Sequence, residues 1–107
     1  MRAASVSVDI TPQGKFWMEG YIHPIRKEPG LGVHDMPRAT LLLVEVAHRE
    51  ALFVSIDVCI LTAGTTDAMR KGLSSLLGIE AERIVINSIH THSAANGFEG
   101  DGAMGIP

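Results

Sequence analysis

Two apolar runs separated by an amphipathic stretch constrain the fold of this chain more than any other feature. Residues 51–57 and 84–89 are mostly apolar and have the length of strands. Between them, apolar side chains recur at helical spacing and are predicted to face a sheet: Met69, Leu73, Leu76 and Leu77. Strand, helix and strand in this order form a βαβ unit, with parallel strands and a right-handed crossover. The run at 84–89 is nearly continuous, as is typical of a parallel strand covered on both faces.

The region before this unit predicts antiparallel strands of the same sheet. Residues 5–10 alternate polar and apolar side chains, as half-buried strands do. A second apolar run at 40–46 is followed by a predicted tight hairpin turn at 48–50. We therefore predict an α/β fold, a mixed sheet with a βαβ unit at about residues 51–89 and an antiparallel N-terminal portion. The glycine- and proline-rich stretch 16–35 predicts a long irregular excursion, which in compact domains is usually functional or disordered.

The ends of the predicted helix carry recognisable signals. Thr65 or Thr66 can cap its first turn, because a threonine oxygen accepts an otherwise unpaired amide. Asp67 would add negative charge near the positive end of the helix dipole. Gly78 is predicted to end the helix, since glycine adopts the left-handed conformation at little cost.

Size and charge exclude several classes of protein. With 107 residues and a formal charge of −3, the chain is one domain at most and carries no basic run for nucleic acid. No apolar stretch approaches the roughly 20 residues that span a bilayer, and the N-terminus lacks the apolar core of a signal peptide. A single cysteine cannot form an internal disulfide, which fits a reducing cytoplasm. We expect a cytoplasmic protein.

The segment His90-Thr91-His92 follows the last apolar run and is the strongest candidate for chemistry. Two histidines two residues apart on an extended chain point to the same face. Imidazoles are common zinc ligands, and ligands collect at the C-terminal ends of strands in α/β proteins. The alternative is a hydrogen-bonded polar cluster without a metal.

Asp57 ends the first strand of the βαβ unit and is a candidate supporting residue. Parallel strands end on the same side of a sheet, so Asp57 and His90 are predicted to share one edge. A carboxylate there can accept the free ring N–H of a metal-binding histidine and fix its tautomer. Asp57 can equally cap the loop or helix beyond the strand, and both interpretations stay open.

Further residues have a functional and an ordinary interpretation. Cys59 can be a ligand or a nucleophile, although a single cysteine in an apolar stretch is more often buried and inert. His34-Asp35 can approach the site if the long loop folds over the sheet edge, or can be a solvated pair. Phe16 and Trp17 can line an acyl pocket or, more often, belong to the core. Arg26 and Lys27 can meet an anionic group or be solvated, and His23 and His48 are interpreted as exposed.

With these residues laid out, the chain resembles the N-terminal part of the catalytic domain of the neutral/alkaline ceramidase family. Five pieces occur in the family's order along almost the whole chain. They are Val8-Asp9-Ile10-Thr11-Pro12, Met18-Glu19-Gly20-Tyr21, Gly32-Val33-His34-Asp35, the strand Val54-Ser55-Ile56-Asp57 and the zinc-site motif Ile89-His90-Thr91-His92-Ser93. The motif usually continues Ser-Gly-Pro, where this chain has Ser93-Ala94-Ala95.

The resemblance implies a zinc-dependent amide hydrolase that cleaves N-acyl sphingosine. His90 would bind Zn²⁺, and His92 would hydrogen-bond the reacting amide or its oxyanion, or act as a second ligand. Zinc in such a site lowers the pKa of its water to about 7 and polarises the carbonyl. The family's other zinc ligands lie downstream, so this chain would carry only part of the site, as a single domain or as an N-terminal fragment.

Three further expectations follow from this partial match. The isolated chain is expected to be inactive on ceramide, and its incompletely covered sheet is expected to make it a homo-oligomer. A lipid-like or N-acyl amide is the expected substrate. The alternatives are a non-catalytic binding or assembly domain that keeps the fold, and a zinc amidase or peptidase with another substrate.

Overall fold

The structure, a computed structural model, describes residues 1–18 and 28–95. Its elements in chain order are strand β1 (Arg2–Asp9), strand β2 (Arg38–Val46), strand β3 (Arg49–Ile56), helix α1 (Ala63–Leu77), a 3₁₀ helix (Ala81–Arg83) and strand β4 (Ile84–Ser88). The strands form one four-stranded sheet in the order β1-β2-β3-β4. The predicted α/β fold with a mixed sheet is confirmed.

The strand register places the C-terminal ends of β3 and β4 side by side. β1–β2 and β2–β3 are antiparallel, and β3–β4 is the one parallel pair of this sheet. Leu52 lies opposite Ile84, and Ile56 lies opposite Ser88. Because both strands run the same way, the segments that follow Ile56 and Ser88 leave the sheet at the same edge.

The hairpin between β2 and β3 lies one residue earlier than predicted. Ala47 and His48 form the two-residue turn with φ of 50° and 60°, and Val46 pairs with Arg49. Two left-handed residues match the twist of the flanking strands, so the strands pair up to the turn itself. Arg49 and Glu50, predicted to be in the turn, therefore belong to β3.

The start of α1 also differs from the prediction. Thr62, rather than Thr65 or Thr66, is the N-cap, and its Oγ1 accepts a hydrogen bond of 3.2 Å from the Thr65 amide. The helix begins three residues earlier than expected because Thr62 has the extended backbone that an N-cap requires. Asp67 consequently lies beyond the first turn, and it pairs with Arg70 at 2.9 Å.

The packing of α1 confirms part of its predicted apolar face. Met69 and Leu73 pack against the core, but Leu76 is 81 % exposed and Leu77 is also exposed. Gly78 ends the helix with a φ of 69°, as predicted, and the chain turns so that Ile79 takes the buried position. The last turn therefore contributes little to the core.

The core lies between α1 and one face of β3 and β4. Its buried members are Leu52, Val54, Ile56, Val58, Ile79 and Ile84. On the opposite face, Val85 is 48 % exposed, so the prediction that β4 is covered on both faces is wrong for the described residues. β4 is an edge strand of the described sheet, and only one of its faces meets the helix. None of the described helices is both long and apolar enough to span a membrane.

Candidate metal centre

The candidate site lies where the chain leaves the parallel pair β3–β4. The segment after β3 carries Asp57 and Cys59, and the segment after β4 carries His90 and His92. The Ile89 amide donates a 3.1 Å hydrogen bond to the Ile56 carbonyl, which holds the two segments together beyond the last ladder pair. The edge predicted from the strand directions is therefore the place where these residues meet.

Cys59, His90 and His92 converge into one group of metal-binding side chains. Cys59 Sγ lies 3.4 Å from Nδ1 of His90 and 4.0 Å from Nδ1 of His92. The two imidazoles meet edge to face, with ring centroids 4.8 Å apart. One ligand atom from each of the three residues lies within 4.8 Å of the others. This arrangement is a possible metal-binding group.

The two histidines lie together as predicted, but on a backbone that differs from the extended one expected. β4 ends at Ser88, and His90 has a φ of 62° in the left-handed region, so the chain is not extended there. A non-glycine residue in this region costs about 1–2 kcal/mol, and such residues often occur at functional sites. The rings of His90 and His92 are neighbours, although the backbone at His90 is left-handed rather than extended.

The carbonyl of Cys59 orients the His90 ring. His90 Nδ1 lies 3.0 Å from this oxygen, which can only accept a hydrogen bond. A ring that donates from Nδ1 to the carbonyl presents Nε2 as its acceptor or ligand atom. Cys59 thus contacts His90 through its backbone as well as through its thiol.

Asp57 lies at the same edge but makes a different contact. Its Oδ2 accepts a 2.9 Å hydrogen bond from the backbone amide of Arg38, and its own amide donates to the Arg38 carbonyl at 3.0 Å. These bonds tie the end of β3 to the start of β2. Asp57 is not a member of the Cys59/His90/His92 group, and the Cys59 carbonyl makes the contact with His90 that was one of the two roles considered for Asp57.

A cleft of about 470 Å³ lies beside the metal-binding group. Thr91 and Ser93 line it, whereas Cys59, His90 and His92 are not among its described lining residues. The remaining wall is partly apolar and partly polar: Phe16, Met18, residues 32–37, Asp57, Ile89 and Ala94. Successive residues of segment 90–93 thus alternate between the cleft and the metal-binding group.

The other candidate residues are distributed outside the group. His34 Nδ1 and Asp35 Oδ2 are 2.9 Å apart, and both side chains are exposed at the cleft, so they bring no third imidazole to the group. Phe16 is buried and lines the cleft, Trp17 is half-buried, and His48 is exposed in the hairpin turn. His23, Arg26 and Lys27 lie outside the described residues.

The donor set fits a zinc ion. One sulfur and two imidazole nitrogens are typical ligands of tetrahedral zinc, and catalytic sites use three protein ligands with a fourth position open. Neighbouring ligand atoms in such a site lie about 3.3–3.6 Å apart, which follows from metal–ligand distances near 2.0–2.3 Å. Ligand atoms of the three residues lie within 4.8 Å of one another, so a bound ion would draw them closer to reach this spacing.

Cys59 is the residue of this group that the sequence interpretation favoured least. The sequence signal that pointed to Cys59 was its position just beyond the end of a strand. Ile56 and Ser88 are paired in the parallel ladder, and Cys59 and His90 follow them by three and two residues. Side chains just beyond the ends of neighbouring parallel strands meet at one edge, and Cys59, two residues past Asp57, can share the face of Asp57.

Compared with known proteins, the sequence matches no protein-family model and no curated protein at a significant level, and the structure matches no solved structure.

Proposed function

We propose that this chain carries the metal-binding part of a zinc-dependent amide hydrolase related to neutral ceramidases. The observation that carries the proposal is the convergence of Cys59, His90 and His92 at the C-terminal edge of the parallel strand pair. Edges of this kind hold ligands and catalytic groups in α/β proteins. The resemblance of segment 89–93 to the ceramidase zinc motif supplies the reaction type.

His90 is the central residue of the proposed site. Its left-handed backbone and the Cys59 carbonyl hold the ring, so one nitrogen is fixed and the other is presented to a metal. Bound zinc would polarise a substrate carbonyl and supply a water activated near neutral pH. His90 itself would hold the ion and take no proton in the reaction.

His92 has two roles that an experiment separates. Its ring lies close enough to the group to be a ligand, whereas the resemblance assigns it to the reacting amide, where an N–H would donate to the oxyanion. If His92 is a ligand, His92→Ala loses zinc. If it is the oxyanion donor, the variant keeps zinc and loses turnover by roughly 10²–10³-fold, as other lost oxyanion donors do.

The adjacent cleft supports an N-acyl amide as the substrate class. Its volume of about 470 Å³ falls in the range of small-molecule sites. Phe16, Met18 and Ile89 offer apolar surface for an acyl chain, and Thr91 and Ser93, the chain neighbours of His92, also line the cleft. An amide bond held over the segment 91–93 would have its acyl chain in the cleft.

The decisive experiment combines zinc content with a substrate panel. We expect near-stoichiometric zinc by elemental analysis in the intact chain and its loss in His90→Ala. We expect slow zinc-dependent hydrolysis of a small fluorogenic N-acyl amine, abolished in His90→Ala, and none of ceramide. Full zinc occupancy with no hydrolysis of any N-acyl amine would contradict the enzyme. Preference for peptides over N-acyl amines would indicate a different zinc hydrolase.

The main alternative is a non-catalytic binding or assembly domain in which the metal is structural. The observation that favours it is that Cys59, His90 and His92 do not line the cleft among the described residues. A metal held only for stability would clamp the segments after β3 and β4 without contacting a substrate. The same panel distinguishes it, since this domain would bind zinc and hydrolyse nothing.

We further propose that copies of the chain associate through the open face of the sheet. Leu42, Phe53 and Val85 lie in register across β2, β3 and β4, and all three are exposed. A contiguous apolar row of this kind marks an interaction surface. We expect sedimentation equilibrium to show self-association that Phe53→Ser weakens. A monomer at all concentrations would contradict this proposal.

A further inference from the structure

We infer that Cys59 binds the metal as a thiolate, so that this chain alone supplies a complete set of three protein ligands, Cys59, His90 and His92. This inference rests on the proposed metal centre and names its ligand set. The ceramidase resemblance supplies only His90 and His92, and neither composition nor motif assigns a role to Cys59. The inference also removes the need for a ligand from a downstream region.

The thiol of Cys59 lies close to both imidazole rings. Cys59 Sγ lies 3.4 Å from His90 Nδ1 and 4.0 Å from His92 Nδ1, so the sulfur is the atom that approaches both imidazoles. A single buried cysteine is usually an inert core residue. Two imidazoles that converge on its sulfur from the neighbouring segment are the independent feature that distinguishes Cys59.

The three residues differ in how deeply they are buried. Cys59 is 0 % exposed, His92 is half-buried and His90 is exposed. A cation bound by the group would therefore contact the thiolate on the protein side and keep an open side towards solvent. Three protein ligands with one accessible position are the pattern of catalytic rather than structural zinc sites.

The buried position of Cys59 determines what a thiolate there would require. A negative charge at a fully buried position is costly unless a cation compensates it. In the proposed site the divalent ion provides that compensation, and the thiol proton leaves to solvent when the sulfur–metal bond forms. Soft thiolate ligands also favour zinc and cobalt over magnesium, calcium and manganese. The site would accordingly discriminate between these two sets of ions.

Cobalt substitution tests the inference directly. The chain has one cysteine, so any thiolate-to-cobalt charge-transfer absorption in the intact protein arises from Cys59 without the need for a variant. We expect this ultraviolet band to appear on addition of Co²⁺, with visible bands of tetrahedral intensity, and to disappear when zinc displaces the cobalt. We expect that a large excess of Mg²⁺ neither produces a spectral change nor displaces the bound Co²⁺.

Variants then assign the remaining ligands. We expect Cys59→Ser to abolish the charge-transfer band, and His90→Ala and His92→Ala each to weaken Co²⁺ binding by on the order of 100-fold or more, beyond the usual effect of losing a supporting contact. His48→Asn is the matched control, because it removes a histidine from the hairpin at the other end of β3 and asparagine tolerates a positive φ. This control should bind Co²⁺ as the intact chain does. Circular dichroism of each variant monitors the fold.

The outcomes separate this inference from the proposed function. Co²⁺ binding without a thiolate band in the intact chain would overturn the role of Cys59 and leave a histidine-based hydrolase standing. A thiolate band together with a complete lack of hydrolysis would support the ligand set and overturn the enzyme. If Cys59→Ser fails to fold, the spectrum of the intact chain still decides, since it needs no variant.

Discussion

The two halves of the sheet, β1–β2 and β3–β4, differ sharply in how far the helix and the core cover them. β3 buries Leu52, Val54 and Ile56 against α1 and the core, whereas every residue of β1 is exposed. Val6 and Val8 lie on the same face of the sheet as the core residues, opposite Leu41 and Ala39, yet Val6 is 56 % exposed. The helix packs on β4 and the 3₁₀ helix, and β1 lies three strands away from β4 in the sheet.

This difference explains where the candidate site is. A metal centre needs ligands held within small tolerances, and that requires a backbone that is itself well packed. Cys59 and His90 both follow strands of the covered half directly, and the buried residues Ile56 and Val58 anchor the first of these segments. The exposed half offers strand hydrogen bonds but no comparable packing. Perturbations of the two halves should therefore have different consequences.

The largest expected difference is between core deletions in the two halves. Leu52→Ala should lower the free energy of unfolding by about 2–5 kcal/mol, because it removes buried contacts and leaves a cavity. Val6→Ala should change it by no more than about 0.5 kcal/mol, since the side chain is exposed. Urea unfolding followed by circular dichroism measures both. Equal effects would show that β1 is covered in solution, for example by a second copy of the chain.

Addition of a metal that binds beyond the ends of β3 and β4 should stabilise the folded protein. At a free zinc concentration about 100 times Kd, binding to the folded state alone should raise the free energy of unfolding by about 2.7 kcal/mol. His90→Ala should lose most of this gain, and the hairpin control His48→Asn should keep it. Thermal melts with and without zinc measure the effect. A zinc shift that survives in His90→Ala would place the ion elsewhere in the chain.

Two glycines of the helical region should respond in opposite directions. Gly78→Ala should cost about 1–2 kcal/mol, because residue 78 has a φ of 69° that a Cβ disfavours. Gly72→Ala should instead stabilise by about 0.5–1 kcal/mol, since a Cβ there meets no atom within 4 Å and alanine favours the helix. Together the two variants measure how strongly the stability of α1 contributes to the stability of the β3–β4 half of the sheet. Destabilisation by Gly72→Ala would indicate that a partner packs on this face of the helix.

The sequence predicted the covered half better than the details that build the site. The apolar runs at 51–57 and 84–89 specify parallel strands because their hydrophobic pattern leaves few alternatives, and this part was confirmed. The helix start was wrong because Thr62, Thr65 and Thr66 are all chemically able to cap, and only the backbone of Thr62 decides among them. The sequence therefore predicted the strands of the fold but not the residue that caps the helix.

The members of the metal-binding group illustrate the same limit. The proximity of His90 and His92 was anticipated from an extended chain, whereas the backbone at His90 is left-handed. The approach of Cys59 depends on the path of the chain between β3 and α1, which no periodic pattern encodes. A residue type that is usually inert became a candidate ligand only through its neighbours in space.

The smallest expected effect lies at the exposed end of β1. The Thr11 hydroxyl and amide donate to Asp9 Oδ1, and these two hydrogen bonds lower the pKa of the Asp9 carboxyl below its usual value. Because the folded-state pKa is lowered, the ionised carboxylate stabilises the fold above the unfolded-state pKa of about 3.9, and this contribution is lost as the pH falls through the lowered value. Thr11→Val removes the stronger of the two bonds.

We therefore expect Thr11→Val to raise the Asp9 pKa towards its usual value in an NMR titration. The variant should lose a small part of its stability at pH 7 and none at a pH below both pKa values, where the carboxyl is protonated in either state. Ser5→Ala, another change on exposed β1, should leave the Asp9 titration unaltered. The metal affinity of Thr11→Val should equal that of the intact chain. A loss of zinc binding in this variant would show that the exposed half supports the site, and the contrast between the two halves would then fail.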